Sequence, residues 1–145
     1  MNSLLLRTAA RVILFLEMAF ALIFLFRGHN QPGGGFIGGL IAAGALSVYA
    51  LAFQAAAVRK MLRLHPVAYM GCGLLLSAGS GFFAVLFRRP YMTAWWWEGW
   101  IGTPLIFDIG VFLVVLGMTM SVILTLIERE KENSPSARFR GERED

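Results

Sequence analysis

Four long apolar runs fill most of the chain, from Leu4 to Phe26, Phe36 to Val58, Pro66 to Phe87 and Leu105 to Ile127, with short polar stretches between them. A helix needs about 20 consecutive apolar residues to cross a bilayer, and each run reaches that length. The pattern predicts an all-α integral membrane protein with four transmembrane helices in residues 1–127, followed by a charged tail over 128–145. The first span begins at Leu4 or at Val12. Arg7 and Arg11 ahead of an apolar run give it the look of a signal peptide, but it ends in RGHNQP rather than a small-residue cleavage site, which predicts a retained helix.

The distribution of charge sets orientation. With the N-terminus inside, the inner segments hold Arg7, Arg11, Arg59, Lys60, Arg63, Arg129, Lys131, Arg138, Arg140 and Arg143, and the outer loops only Arg27, Arg88 and Arg89. Cytoplasmic segments carry the excess of Lys and Arg, so both termini of this multi-pass membrane protein are expected in the cytoplasm. Composition agrees: the chain is 57% hydrophobic and 15% charged, against about half and a quarter in soluble domains. Half of the charged residues fall between Glu128 and Asp145, and this tail is too polar to fold alone, so disorder is expected there. The bases form no stripe with interleaved aromatics, which excludes nucleic acid as a partner. Cys72 has no second cysteine to bridge and reads as a packing residue. Tyr91, Trp95, Trp96, Trp97 and Trp100, between the last two spans, read as an interfacial aromatic belt or as a stacking site for a ligand.

The first outer loop poses a sharper question. In RGHNQPGGGFIGG, Gly33, Gly35 and Gly38 match the dinucleotide fingerprint G-x-G-x-x-G. That fingerprint has meaning after a strand and at the head of a helix, with an acid about 20 residues on. Here a membrane span precedes it, Phe53 stands 20 residues beyond Gly33, and the next acid after the motif is Glu98. The glycines read instead as a turn and a packing surface. Pro32 discourages helix before it and Gly33 permits angles closed to other residues. Beyond them Gly35, Gly39, Ala43 and Ser47, flanked by Gly34, Gly38 and Ala42, make one smooth helix face for close approach by another helix, in this chain or in a partner.

Ionisable residues within spans are candidates for function. Glu17 lies six residues beyond Arg11, about 9 Å deeper at 1.5 Å per residue. It either lines an ion path or bonds a neighbouring helix. Asp108 stands in GTPLIFDIG, where Thr103 can cap and Pro104 suits the first helical position. Its charge either complements that helix N-terminus or serves transport. His29 sits either at the mouth of a proton or cation path or in a turn that it helps to satisfy. No metal-ligand cluster, cofactor site or nucleophile–base–acid set is visible, so no enzyme is expected. Two isolated carboxylates are also too few for a self-contained proton pump.

These motifs resemble the B-type subunit of the Mrp-type multisubunit cation/proton antiporters. Gly28, His29, Asn30, Pro32, Gly33, Gly34, Gly35, Phe36, Gly38 and Gly39 match the family's first-loop signature. Thr103, Pro104, Phe107, Asp108 and Gly110 resemble its last span, and GLLLSAGSGFFAVLF its third. The tail matches nothing in it. The resemblance implies an accessory subunit of a hetero-oligomeric antiporter that exchanges Na⁺ (or Li⁺ or K⁺) for H⁺, with the main proton path in larger subunits. Glu17, Asp108 and His29 are then the candidate ion path, and Pro32, Gly33, Gly34, Gly35, Gly38 and Gly39 the turn and packing set. Two alternatives stay open: the equivalent subunit of an ion-translocating membrane-bound hydrogenase, and a self-sufficient homodimeric small multidrug/proton exporter. The charge bias disfavours the dual topology of the latter.

Overall fold

A computed structural model of the chain describes residues 4–28, 33–86, 90, 96–97 and 101–133. Helix α1 spans Leu4–Arg27, α2 Gly34–Phe53, α3 Ala55–Leu62, α4 Pro66–Leu86 and α5 Thr103–Glu132. The fold is all-helical apart from one two-residue antiparallel pairing, β1 (Trp96–Trp97) with β2 (Ile101–Gly102), which leads into α5. Tyr91, Trp95, Trp100 and the tail beyond Asn133 lie outside the described residues, as do His29 and Pro32.

Local sequence explains most boundaries. No glycine or proline interrupts α1, and it ends where Gly28 follows Arg27, whose charge suits a helix C-terminus. Gly33 then takes φ +100° ahead of α2, a left-handed conformation in which a side chain is strained, and its carbonyl accepts the Ile37 N–H at 3.0 Å. Helix α5 opens with Thr103 after the extended Gly102, so Gly102 and not Thr103 holds the cap position, with Pro104 in the first turn. It continues past Ile127 to Glu132.

Two expectations change. The second apolar run, predicted as one span to Val58, is broken at Gln54, where φ 74° and ψ 156° stop the helix and turn the chain into the short amphipathic α3. A second positive φ, at Arg63, ends α3. Among the described residues, three helices and not four are long and apolar enough to cross a membrane: α1, α2 and α5. The third predicted span, Pro66 to Phe87, is present as helix α4, Pro66–Leu86.

The helices stand in a row, α1 beside α2, α2 beside α5 and α5 beside α4, with little contact between α1 and α5. Large apolar side chains point outward along the row, as at Leu5, Phe15, Phe20, Leu75 and Leu86, while small ones face the seams, with Ala21, Ala42, Ala43 and Ala50 fully buried. That distribution suits lipid, where tails are as apolar as leucine and close backbone approach drives association. Cys72 is exposed on α4 and so is not packed within this chain, contrary to the sequence expectation. The larger core side chains gather where α3 folds under α2 and α5: Leu46, Val58, Leu62, Leu116, Met120 and Leu124. At this end Arg59 and Glu128 form a bidentate pair (Nε to Oε1 2.6 Å, Nη2 to Oε2 2.9 Å). The Tyr69 hydroxyl donates to the Leu62 carbonyl, which satisfies one of the free acceptors at the end of α3.

Candidate functional site

The small residues of α2 serve two neighbours rather than one smooth face. Gly34 and Gly38 meet α1: a Cβ built on Gly38 would lie 2.7 Å from the Ala21 carbonyl oxygen, and one on Gly34 would be 2.6 Å from that of Phe24. Gly35 and Gly39 meet α5: a Cβ on Gly39 would fall 2.9 Å from Val115 Cβ, and one on Gly35 would overlap the Asp108 backbone carbonyl. Each of these blocking atoms at Gly34, Gly35 and Gly38 is backbone, which cannot swing away. All four glycines are buried. A helix with larger residues here would hold α1 and α5 apart by the width of a side chain.

At the head of α2 these contacts close around one acid. Asp108 on α5 is buried, 9% exposed. Its Oδ2 would lie 2.7 Å from a Cβ on Gly28, and the Gly34 amide nitrogen would be 2.9 Å from that same point. The carboxylate therefore sits where the end of α1 crosses the start of α2. The N-cap of α2 is Gly33, which has no side chain to offer the free amides of the first turn. A carboxylate at that place complements the positive end of α2. Sequence position alone assigns Asp108 to the start of its own helix; in the structure the acid also meets the head of a different one.

Glu17 lies elsewhere. It is half-buried on α1, and its nearest glycine is Gly44 of α2, where a Cβ would stand 3.8 Å from Oε2. Gly44 is nine residues along α2 from Gly35, about 14 Å at 1.5 Å per residue. Among the described residues Glu17 makes no ion pair; the single pair there is Arg59–Glu128. The two acids are thus held at different depths on either side of α2 and do not form one site. His29 lies outside the described residues. Among the described residues no three His, Cys, Asp or Glu side chains gather as metal ligands would. The features that sequence reasoning misses are Gly28 and Gly44 as the neighbours of Asp108 and Glu17. The glycine density of the first loop points toward the former, and nothing local marks the latter.

A row of apolar helices with small residues in its seams and one acid buried in a glycine corner defines a polytopic membrane protein. Comparison with known proteins makes this specific. Residues 5–121 match the family model described as a domain related to the MnhB subunit of Na⁺/H⁺ antiporter. The B-type subunit of the Na⁺/H⁺ antiporter of Alkalihalophilus pseudofirmus is 38% identical over 135 residues, covering 88% of this chain and 94% of that protein. Its counterpart from Bacillus subtilis is 36% identical over 139 residues, covering 89% and 96%. Among solved structures, the Mrp complex from Dietzia sp. DQ12-45-1b superposes with a TM-score of 0.76 at 33% identity, over 92% of this chain. This chain spans 15% of the Dietzia chain it matches. The chain belongs to the MnhB family, the B-type subunits of multisubunit Na⁺/H⁺ antiporters, and is a multi-pass membrane protein of a prokaryote.

Proposed function

We propose that this chain is an accessory membrane subunit of a multisubunit monovalent cation/proton antiporter, working only within a hetero-oligomer with the complex's other subunits. In this reading Na⁺ and H⁺ are the ions the complex moves, and the chain is a transporter subunit and not an enzyme. Helix α4 is its fourth span, both termini are cytoplasmic, and the charged tail beyond Asn133 belongs to that side. The intimate seam between α4 and α5 supports the fourth span, since Gly73 and Gly110 let the two backbones meet. The net excess of Lys and Arg at the α3 end supports the orientation.

The observation that carries the functional reading is the pair of acids at two depths beside α2, Asp108 in its glycine corner and Glu17 about 14 Å further along the helix. A charged carboxylate is costly in a low-dielectric span, so its charge is balanced by a proton, a cation or a neighbouring group. A group with that choice can exchange H⁺ for Na⁺ at a subunit contact. His29, in the loop that joins α1 to α2, completes the candidate path at the outer mouth. Pro32, Gly33, Gly34, Gly35, Gly38 and Gly39 set the turn and the packing that hold Asp108 in place.

The test is Na⁺/H⁺ exchange in membrane vesicles carrying the whole complex with Glu17→Gln or Asp108→Asn, alongside recovery of all subunits. Loss of exchange in a fully assembled complex supports a place in the ion path. Full exchange with normal assembly in both variants leaves a purely structural adaptor.

A further inference from the structure

Away from the acids, the opposite end of the α1–α2 seam holds an arrangement that packing does not explain. Arg7 and Arg11 stand one helical turn apart on α1, and both guanidinium groups lie over a single ring, that of Phe53, at 5.5 and 5.2 Å from its centroid. Phe53 is the last residue of α2, and Tyr49 stacks on it with ring centroids 4.4 Å apart. The break at Gln54 ends α2 here, so the ring is presented at the helix end. Two like charges are therefore held side by side on a fixed aromatic platform. Both arginines are exposed, and the sole ion pair among the described residues is Arg59–Glu128, so neither has a carboxylate partner there.

We propose that Arg7 and Arg11, braced on Phe53, form a binding site for the phosphate of an anionic phospholipid headgroup. The chemistry is specific in three respects. Guanidinium is planar, permanently charged and presents paired donors that match phosphate oxygens, and it stacks on aromatic faces. Two such groups at i and i+4 lie on the same side of one helix, so a single phosphate between them relieves their mutual repulsion. The platform also stands at the end of two spans, on the side that carries Arg59, Lys60 and Arg63, where lipid headgroups lie and where basic residues attract acidic lipids. General orientation by positive charge requires only that bases be present; it does not require two of them to share a ring.

The experiment uses the assembled complex, purified in mild detergent. Phosphatidylglycerol or phosphatidylcholine is added, and both the lipid retained on this chain and the thermal midpoint are measured. Phosphatidylglycerol is expected to be retained in preference and to raise the midpoint. In the Arg7→Gln, Arg11→Gln double variant that retention falls by at least about tenfold, the scale of a single lost charge-assisted contact. The Arg7→Lys, Arg11→Lys variant keeps the charge but loses the stacked planar donors, and its retention falls several-fold. Phe53→Leu leaves both charges in place and removes the platform, so it reports even where a charge variant assembles poorly; it too is expected to lower retention. Equal retention of the two lipids, or retention unchanged in Phe53→Leu and in the lysine variant, overturns the proposal. A midpoint raised equally by millimolar inorganic phosphate assigns the site to free phosphate and overturns the lipid source. Loss of a neighbouring subunit with lipid retention intact makes the arginines a protein contact instead.

Discussion

Where Asp108 lies, the helices of the row touch through glycine; where α3 folds under, they touch through Val58, Leu62, Leu116, Met120 and Leu124. The difference is one of residue size. Glycine lets two backbones approach until van der Waals packing and interhelical contacts hold them. Larger aliphatic side chains hold helices further apart and fill the space between them, and burying their surface away from water returns about 25 cal/mol per Å². One end is built on closeness, the other on ordinary hydrophobic burial. The closely packed end also holds the acid, because only glycine leaves room for a carboxylate at a helix crossing.

Substitutions at the two ends should therefore fail differently. Gly35→Val places branched carbons on the Asp108 backbone, which cannot yield, and no assembled complex is expected from mild-detergent purification. Met120→Ala, fully buried among aliphatic neighbours, should leave a cavity costing about 2–5 kcal/mol. That loss should appear as a lower thermal midpoint, with Na⁺/H⁺ exchange per assembled complex unchanged. Gly33→Ala separates conformation from space: nothing lies within 4 Å of the added carbon, but φ is +100°. A non-glycine residue held at such an angle costs about 1–3 kcal/mol, so a modest drop in midpoint is expected, and none would mean that the turn relaxes freely.

The smallest effect concerns the Arg59–Glu128 pair. The hydrogen bond from Arg59, aided by its charge, holds the Glu128 carboxyl below the usual carboxylate range. A lowered folded-state value gives stability that is complete above the unfolded carboxylate pKa, about 4.3, and is lost as pH falls through the lower folded value. The pair is partly exposed, so its worth at pH 7 is about 0.2–1 kcal/mol. Glu128→Gln should lower the thermal midpoint slightly at pH 7 and match the parent once the parent's Glu128 is protonated. A difference that persists in acid would assign the contribution to packing.

Sequence periodicity locates α1, α4 and α5 to within a few residues because apolar length is a local property. It runs through Gln54 because Ala55, Ala56, Ala57 and Val58 keep the run apolar, and neither glycine nor proline marks the break. The hint is amphipathic: Val58 and Leu62 fall on one side of α3 while Lys60 and Arg63 stay exposed. Cys72 shows a second limit. In a span both faces are apolar, so hydrophobicity does not say which one is packed, and small size does not either, since Gly71, Cys72 and Gly79 are all exposed on α4. The glycine motif announces close packing, and Asp108 is visible as an acid near a helix start. Their meeting is not visible, because the contact joins Gly28 and Gly35 to a residue more than seventy positions away.

The single-file order of α1, α2, α5 and α4 has a consequence of its own. A wall one helix thick has no interior separate from its two broad sides. Any residue in its seams lies within about 10 Å, one helix diameter, of whatever stands on either side. Such a wall is a partition: it can stand between two parts of a larger assembly with both packed directly against it. A displacement pressed on one side would then be felt on the other through a single layer of backbone.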